Sequence, residues 1–260
     1  MASLVSILLL GFFLGMRHAT DPDHVIAVTT IVARQRRVGA AALIGVLWGI
    51  GHTLTMVAVG GAIIVFGVVI PPRLGLTMEL SVALMLILLG LLNVSGIMRW
   101  ITAIATPVHV HPHRHGDYAH SHGHTPAAHG HAEDDTAIAR LDRRLGGLGL
   151  YQMLRPLVVG VVHGLAGSAA VALLVLATIP DPWWGIAYLV VFGAGTIAGM
   201  MLITAATALP FTYTVSRFAA VNRHLVLASG VASIGFGLFL VYRIGVVDGL
   251  FASGGRWTPQ

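Results

Sequence analysis

Long uninterrupted apolar runs dominate the chain, in place of strand alternation or a one-sided helical stripe. They occupy residues 2–33, 40–70, 78–98, 156–179, 184–210 and 224–247. A helix crosses a bilayer core with about 20 apolar residues, so the pattern predicts an all-α integral membrane protein of about six transmembrane helices. The first run is unusual, because Arg17, His18, Asp21, Pro22, Asp23 and His24 fall near its middle. As one straight helix it would reach about 46 Å at a rise of about 1.5 Å per residue, more than the bilayer core. Pro22 would also remove a backbone donor and collide with the preceding turn. The first helix is therefore expected to be broken at Pro22.

The two halves resemble each other at a nearly constant offset. At 145 residues, Gly15, His18 and Ala27 fall on Gly160, His163 and Ala172, and Leu80, Ala83 and Gly90 fall on Leu225, Ala228 and Gly235. At 144 residues, WGIGHTLTM (48–56) falls on FGAGTIAGM (192–200). Three helices per copy is an odd number, so the copies are expected to lie in opposite orientations, as inverted repeats do in many secondary transporters. This divides the chain into a first repeat (1–100), a central His-rich loop with a short helix (101–150), a second repeat (151–247) and a C-terminal tail (248–260).

Composition agrees with the membrane reading: 56% of the 260 residues are hydrophobic and 10% charged, against about 25% charged in soluble domains. Mean hydropathy is +0.85. The pI near 10.4 does not indicate nucleic acid. All fifteen basic residues are Arg, scattered at loop positions without a basic face or interleaved aromatics. The Arg distribution instead predicts orientation. Eleven lie in the connections after the first, third and fifth runs, against Arg73, Arg243 and Arg256 on the opposite side. By the positive-inside rule both termini lie outside and the central loop is cytoplasmic. Met1 leads directly into the first run with no basic region or cleavage site, which reads as a retained helix of a cytoplasmic-membrane protein. Trp183 and Trp184 read as an interfacial belt.

The central segment 107–131 holds nine of the fourteen histidines among Pro, Gly and Ala. It is expected to be disordered without metal and to act as a loose cytoplasmic metal buffer or sensor, the alternative being a low-complexity linker whose histidines do nothing. Residues 132–145 read as a short amphipathic helix, acidic early and basic late.

Cysteine is absent, so any metal must be held by nitrogen and oxygen. Ionisable groups at mid-membrane depth are costly and mark a pathway or site. His18 and Asp21 share a helix face, and a break at Pro22 lets Asp23 and His24 turn back toward them. Two imidazoles and up to two carboxylates then surround one point. An Arg17–Asp ion pair with hydrogen-bonded histidines is the bland alternative. His52, about 18 Å along the second run from the cytoplasmic edge if helical, matches the depth of His18. His163 is the repeat mate of His18, in a copy that lacks the other charges, with Ser168 a weaker candidate. Asn93, Thr53 and Thr196 read as interhelical hydrogen-bonders.

The segment RHATDPDH, with His18, Asp23 and His24, resembles the signature of the nickel/cobalt transporter family. GIGHT, with His52, is similar to that family's second motif. Six spans with a His-rich central loop also resemble the related nickel/cobalt efflux proteins, and shorter relatives occur as urease-associated membrane proteins. The chain departs from the uptake members, which have eight spans and an acidic motif where this sequence has HGLAGSAA. The resemblance implies a nickel or cobalt ion as transported substrate, no cofactor, and metal selection by the first motif.

The function expected is secondary transport of nickel or cobalt across the cytoplasmic membrane, in the direction of uptake. The metal residues would be His18, Asp21, Asp23, His24, His52 and His163. Efflux through the same site is one alternative. Another is a membrane metal-delivery protein that serves urease or hydrogenase maturation proteins. The ion, the bilayer and such maturation proteins are the expected partners, and nucleic acid is not. An intramembrane zinc hydrolase is rejected: the only glutamates, Glu79 and Glu133, lie near no histidine pair inside a span.

Overall fold

Proline and aspartate divide the first apolar run. In the computed structural model, which describes residues 4–68, 70–95, 109–115, 118–124, 153–166, 179 and 181–252, α1 (Leu4–His18) stops at His18 and α2 (Pro22–Val32) begins four residues later. Asp21, just before the proline, has φ −60° and ψ 144°, the extended conformation that a following proline imposes. Pro22 takes the first helical turn, where its missing N–H costs nothing. The break expected at Pro22 is present.

The second and third runs form α3 (Val38–Phe66) and α4 (Pro72–Val94). Gly67, at φ 62°, ends α3 in the left-handed conformation that glycine adopts without strain. In the second half come α5 (Met153–Ala166), α6 (Pro182–Arg217) and α7 (Ala219–Tyr242), which continues as a π-helical turn over Arg243–Val247. Asp181 caps α6, accepting from the backbone N–H groups of Trp183 (2.8 Å) and Trp184 (3.3 Å). Both tryptophans are exposed.

Among the described residues, four helices are long and apolar enough to cross a membrane, and α1, α2 and α5 are shorter apolar helices. Their outer surface is apolar: Phe13, Leu54, Leu88, Leu202 and Leu238 are each more than half exposed. Polar side chains such as His52, His163, Thr196 and Ser233 are buried instead. An apolar exterior with polar side chains held inside suits lipid as the surrounding solvent, and the chain is a multi-pass helical membrane protein.

The helices pair as α3 with α6, α4 with α7 and α1 with α6. Backbone contact through glycine sets these seams. A Cβ on Gly15 would strike the carbonyl of Phe192, and one on Gly160 would strike that of Trp48. Likewise Gly51 lies on the carbonyl of Leu157, and Gly195 on that of Phe12. Each second contact is the first displaced by 144 or 145 residues in both partners.

The His-rich segment differs from its expectation. Residues His109–His115 (β1) and Tyr118–His124 (β2) pair antiparallel, with His109 opposite His124, His111 opposite His122 and His113 opposite His120. The reason is period: histidine recurs at every second position in both stretches, which matches the pleat of a strand. Pro112 is tolerated because each strand of a two-stranded ribbon has a free edge. The amphipathic helix expected over 132–145 lies outside the described residues, as does Ser168.

Candidate functional site

The break between α1 and α2 turns the helix end and the helix start toward the middle of α3 and α5. Asp21 occupies the position from which a side chain would cap α2, yet it makes no cap bond. Its carboxylate lies instead 2.7 Å from Nδ1 of His18. A carboxylate on Nδ1 fixes the imidazole tautomer and leaves Nε2 as the free lone pair, the arrangement found behind metal-ligating histidines. That Nε2 lies 3.3 Å from Nε2 of His52. Two nitrogens bound to one tetrahedral ion at about 2.1 Å would sit about 3.4 Å apart, so the spacing fits two ligands of one ion.

Asp23 and His24 complete the cluster from the first turn of α2. One oxygen of Asp23 lies 3.1 Å from His24 Nδ1 and also accepts from the His24 backbone N–H at 3.0 Å. The other lies 2.8 Å from Nε2 of His163, on α5. The four imidazoles are packed together: ring centroids are 4.2 Å apart for His24 and His163, 4.7 Å for His18 and His24, and 5.3 Å for His24 and His52. The structure thus brings all six sequence-derived candidates into one cluster, from α1, the break, α2, α3 and α5. Asn93 and Thr53 are elsewhere, in interhelical hydrogen bonds to Ser229 and to the Gly193 carbonyl. Thr196 bonds within its own helix, to the Phe192 carbonyl.

Burial grades the cluster. His24, His52 and His163 are almost fully buried, whereas the side chains of Asp21, Asp23 and His18 are 47%, 29% and 18% exposed. Arg17 and Thr20 are exposed beside Asp21, which makes the helix break the polar opening of the site. Among the described residues Arg17 makes no ion pair with either aspartate, so the bland reading of Arg17–Asp pairing finds no support in the geometry.

Three buried imidazole nitrogens, His24 Nε2, His52 Nδ1 and His163 Nδ1, have no hydrogen-bond partner among the described residues. An unsatisfied buried polar atom costs about 1–3 kcal/mol, and several together call for a ligand. Two ligand sets each bring their atoms within 4.8 Å of one another: His18, His24 and His52, and Asp23, His24 and His163. Imidazole and carboxylate donors without thiolate suit nickel, cobalt or zinc.

Trp48 belongs to the same site although nothing in the sequence singles it out beyond its place one helical turn before His52. It is fully buried, lies near-parallel to the His24 ring at 6.0 Å and is 5.5 Å from His163. Its indole N–H is also without a partner among the described residues. Phe192, the repeat counterpart of Trp48, lies 5.7 Å from His18. The four-residue spacing of Trp48 and His52 on one helix face was the available signal.

No family model matches the chain, and no solved structure matches it. The urease accessory protein UreH of Bacillus sp. (strain TB-90) is 35% identical over 248 residues, which span 95% of this chain and 96% of that protein. At that identity and coverage, the chain belongs to the family of the urease accessory protein UreH.

Proposed function

We propose that the chain is a secondary transporter that carries nickel or cobalt into the cell through the His/Asp cluster. The observation that carries this reading is the meeting of four imidazoles and two carboxylates inside an otherwise apolar helical body. A structural seam has no use for so many buried ligand atoms, three of them unpartnered. The metal residues are His18, Asp23, His24, His52 and His163, with Asp21 orienting His18 at the opening. Urease is a nickel enzyme, so an accessory protein among the relatives agrees with nickel as cargo.

The transport reading carries a topology with it. Six spans form two inverted three-helix repeats, with α1–α2, α3 and α4 in the first and α5, α6 and α7 in the second. The paired glycine contacts support this arrangement, since Gly15 on Phe192 and Gly160 on Trp48 are one contact made twice. The cluster lies where the copies meet, as in other transporters built this way. Rocking of one copy against the other would expose the ion to each side in turn. Both termini lie outside and the His-rich ribbon is cytoplasmic.

Reconstituted vesicles test the reading. With a nickel-sensitive dye trapped inside, the wild-type chain gives a metal-dependent signal, and His24→Ala reduces it at least tenfold. Equal signals from wild type, His24→Ala and empty vesicles would remove transport from the account. The relative's name favours a second reading, in which the chain holds nickel for urease maturation proteins without moving it. In that case vesicles stay dark while urease activation in cells depends on the protein and on residues 109–131.

A further inference from the structure

The two ligand sets share one residue, and that residue decides how an ion passes. His18, His24 and His52 form one set, beside the exposed Asp21, and Asp23, His24 and His163 form the other. His24 Nδ1 lies 3.1 Å from Asp23, and its Nε2 is buried without a partner among the described residues. A neutral imidazole carries one N–H and one lone pair, so it ligates through one nitrogen at a time. Resting on the transport reading above, we propose that the cluster is two overlapping stations and not one composite site. The station beside Asp21, the outer, uses His24 Nε2, and the station on Asp23 and His163, the inner, uses His24 Nδ1, with a single ion handed from one to the other.

The hand-off follows from the geometry of each station. At the outer station Asp21 holds His18 with Nε2 directed at His52, so two ligands are in place before the ion arrives. The inner station already has its carboxylate: Asp23 lies 2.8 Å from Nε2 of His163 and 3.1 Å from Nδ1 of His24. An ion at the outer station faces three neutral imidazoles, and at the inner station it gains the negative charge of Asp23, which draws it from the first to the second. For His24 to follow, Nδ1 gives up its proton to water as the ion binds there, and Nε2 takes one from water once the ion has left it, so no net proton is gained and the outer station loses its third ligand. The stations therefore exclude each other. Loading from the opening is possible again only after the inner ion has left.

Cobalt(II) absorption reports both stoichiometry and ligand set. The test uses the full-length chain with the nine histidines of 109–131 changed to serine, titrated with Co²⁺ in detergent, and the same protein reconstituted for flux. The two-station arrangement predicts one bound Co²⁺ per chain. His163→Gln and His52→Gln each still bind one ion, with spectra that differ from each other, while both lose flux at least tenfold. His24→Ala binds none. Two ions bound at once would overturn mutual exclusion. A complete loss of binding in both glutamine variants, with unchanged melting, would mean a single composite site. Full flux in His163→Gln would take the inner station off the path. Binding and flux are read separately, so vesicles that carry no metal at all would overturn transport while leaving the station assignment to the spectra.

Discussion

Trp48 shows how much of a candidate metal site can rest on a residue outside its ligand sets. Its indole is buried, lies against His24 at 6.0 Å and an interplanar angle of 12°, and approaches His163 at 5.5 Å. It fills the space on which both rings lean, so its removal frees the ring that both ligand sets share. Trp48→Ala should lower stability by about 3–5 kcal/mol, the usual cost of a large buried aromatic. It should also weaken Co²⁺ binding by about 10–100-fold, as losses behind a ligand commonly do. Trp48→Phe keeps a smaller aromatic wall and removes the N–H that has no partner among the described residues, so its affinity should stay closer to wild type than that of the alanine variant. Thermal melting and Co²⁺ titration in detergent would check both, and equal affinity in the alanine variant would show that the wall does not matter. The contrast with His18, Asp21, Asp23 and His24 is one of legibility. Charges inside an apolar run are conspicuous because lipid penalises them, and they were readable in sequence. A tryptophan in the same run is unremarkable, since an apolar helix carries such residues toward lipid and toward neighbours alike. Only the partner helices separate the two.

Among the elements, α5 lies against α3 through glycine, and against α2 through the 2.8 Å contact of His163 with Asp23. Gly160 lies on the carbonyl of Trp48, and Gly164 on that of His52. His163 stands between them, so the seam that brings α5 onto α3 also sets how far His163 reaches toward Asp23. Gly160→Val should push α5 off α3 at an overpacking cost of about 1–3 kcal/mol. His163 would withdraw, while the contact between His18 and His52 stays, because α1 is held to α6 through Gly15 and Gly195. Gly61→Ala is the control, because a Cβ there meets nothing. It should be neutral or stabilising by up to about 1 kcal/mol. Melting temperature and the Co²⁺ spectrum distinguish the outcomes, and a wild-type spectrum in Gly160→Val would show that the seam does not position the ligand. The helix break was visible in advance because Pro22 has a local rule. The seam positions were not, since with 32 glycines in the chain no single one announces a contact. Their meaning appears only when Gly15 and Gly160 meet corresponding carbonyls. The ribbon of β1 and β2 was missed for a different reason: its Pro- and Gly-bearing composition argues for disorder, whereas its period of two favours pairing. Deleting 109–131 should leave at least half of the vesicle flux, because none of the six clustered residues lies there. Loss of flux with retained folding would place the ribbon on the path.

At the scale of the whole molecule, the uneven distribution of arginine relates the site to a direction. Arg34, Arg36 and Arg37 follow α2, while Arg73, in the first turn of α4, is the single arginine at the α3–α4 end. Short connections with excess arginine stay cytoplasmic, which predicts the α2–α3 connection inside and the α3–α4 connection outside. The absence of cysteine makes this directly testable, since any introduced thiol is the only one present. Val68→Cys, at an exposed position after α3, should react with a membrane-impermeant maleimide in intact cells. Gln35→Cys, between α2 and α3, should react only after permeabilisation. Reaction of Gln35→Cys alone in intact cells would invert the molecule and with it the face from which the ribbon acts. Reaction of both would mean that the chain inserts in both orientations, an arrangement the arginine asymmetry disfavours. With sidedness fixed, a thiol at Thr20, exposed beside Asp21 at the helix break, reports which face the opening meets. If Thr20→Cys is protected by Ni²⁺ from an outside reagent, ions enter the outer station from outside, and uptake follows from the order of the stations. Protection seen only from the cytoplasmic side would reverse the direction while leaving the site unchanged.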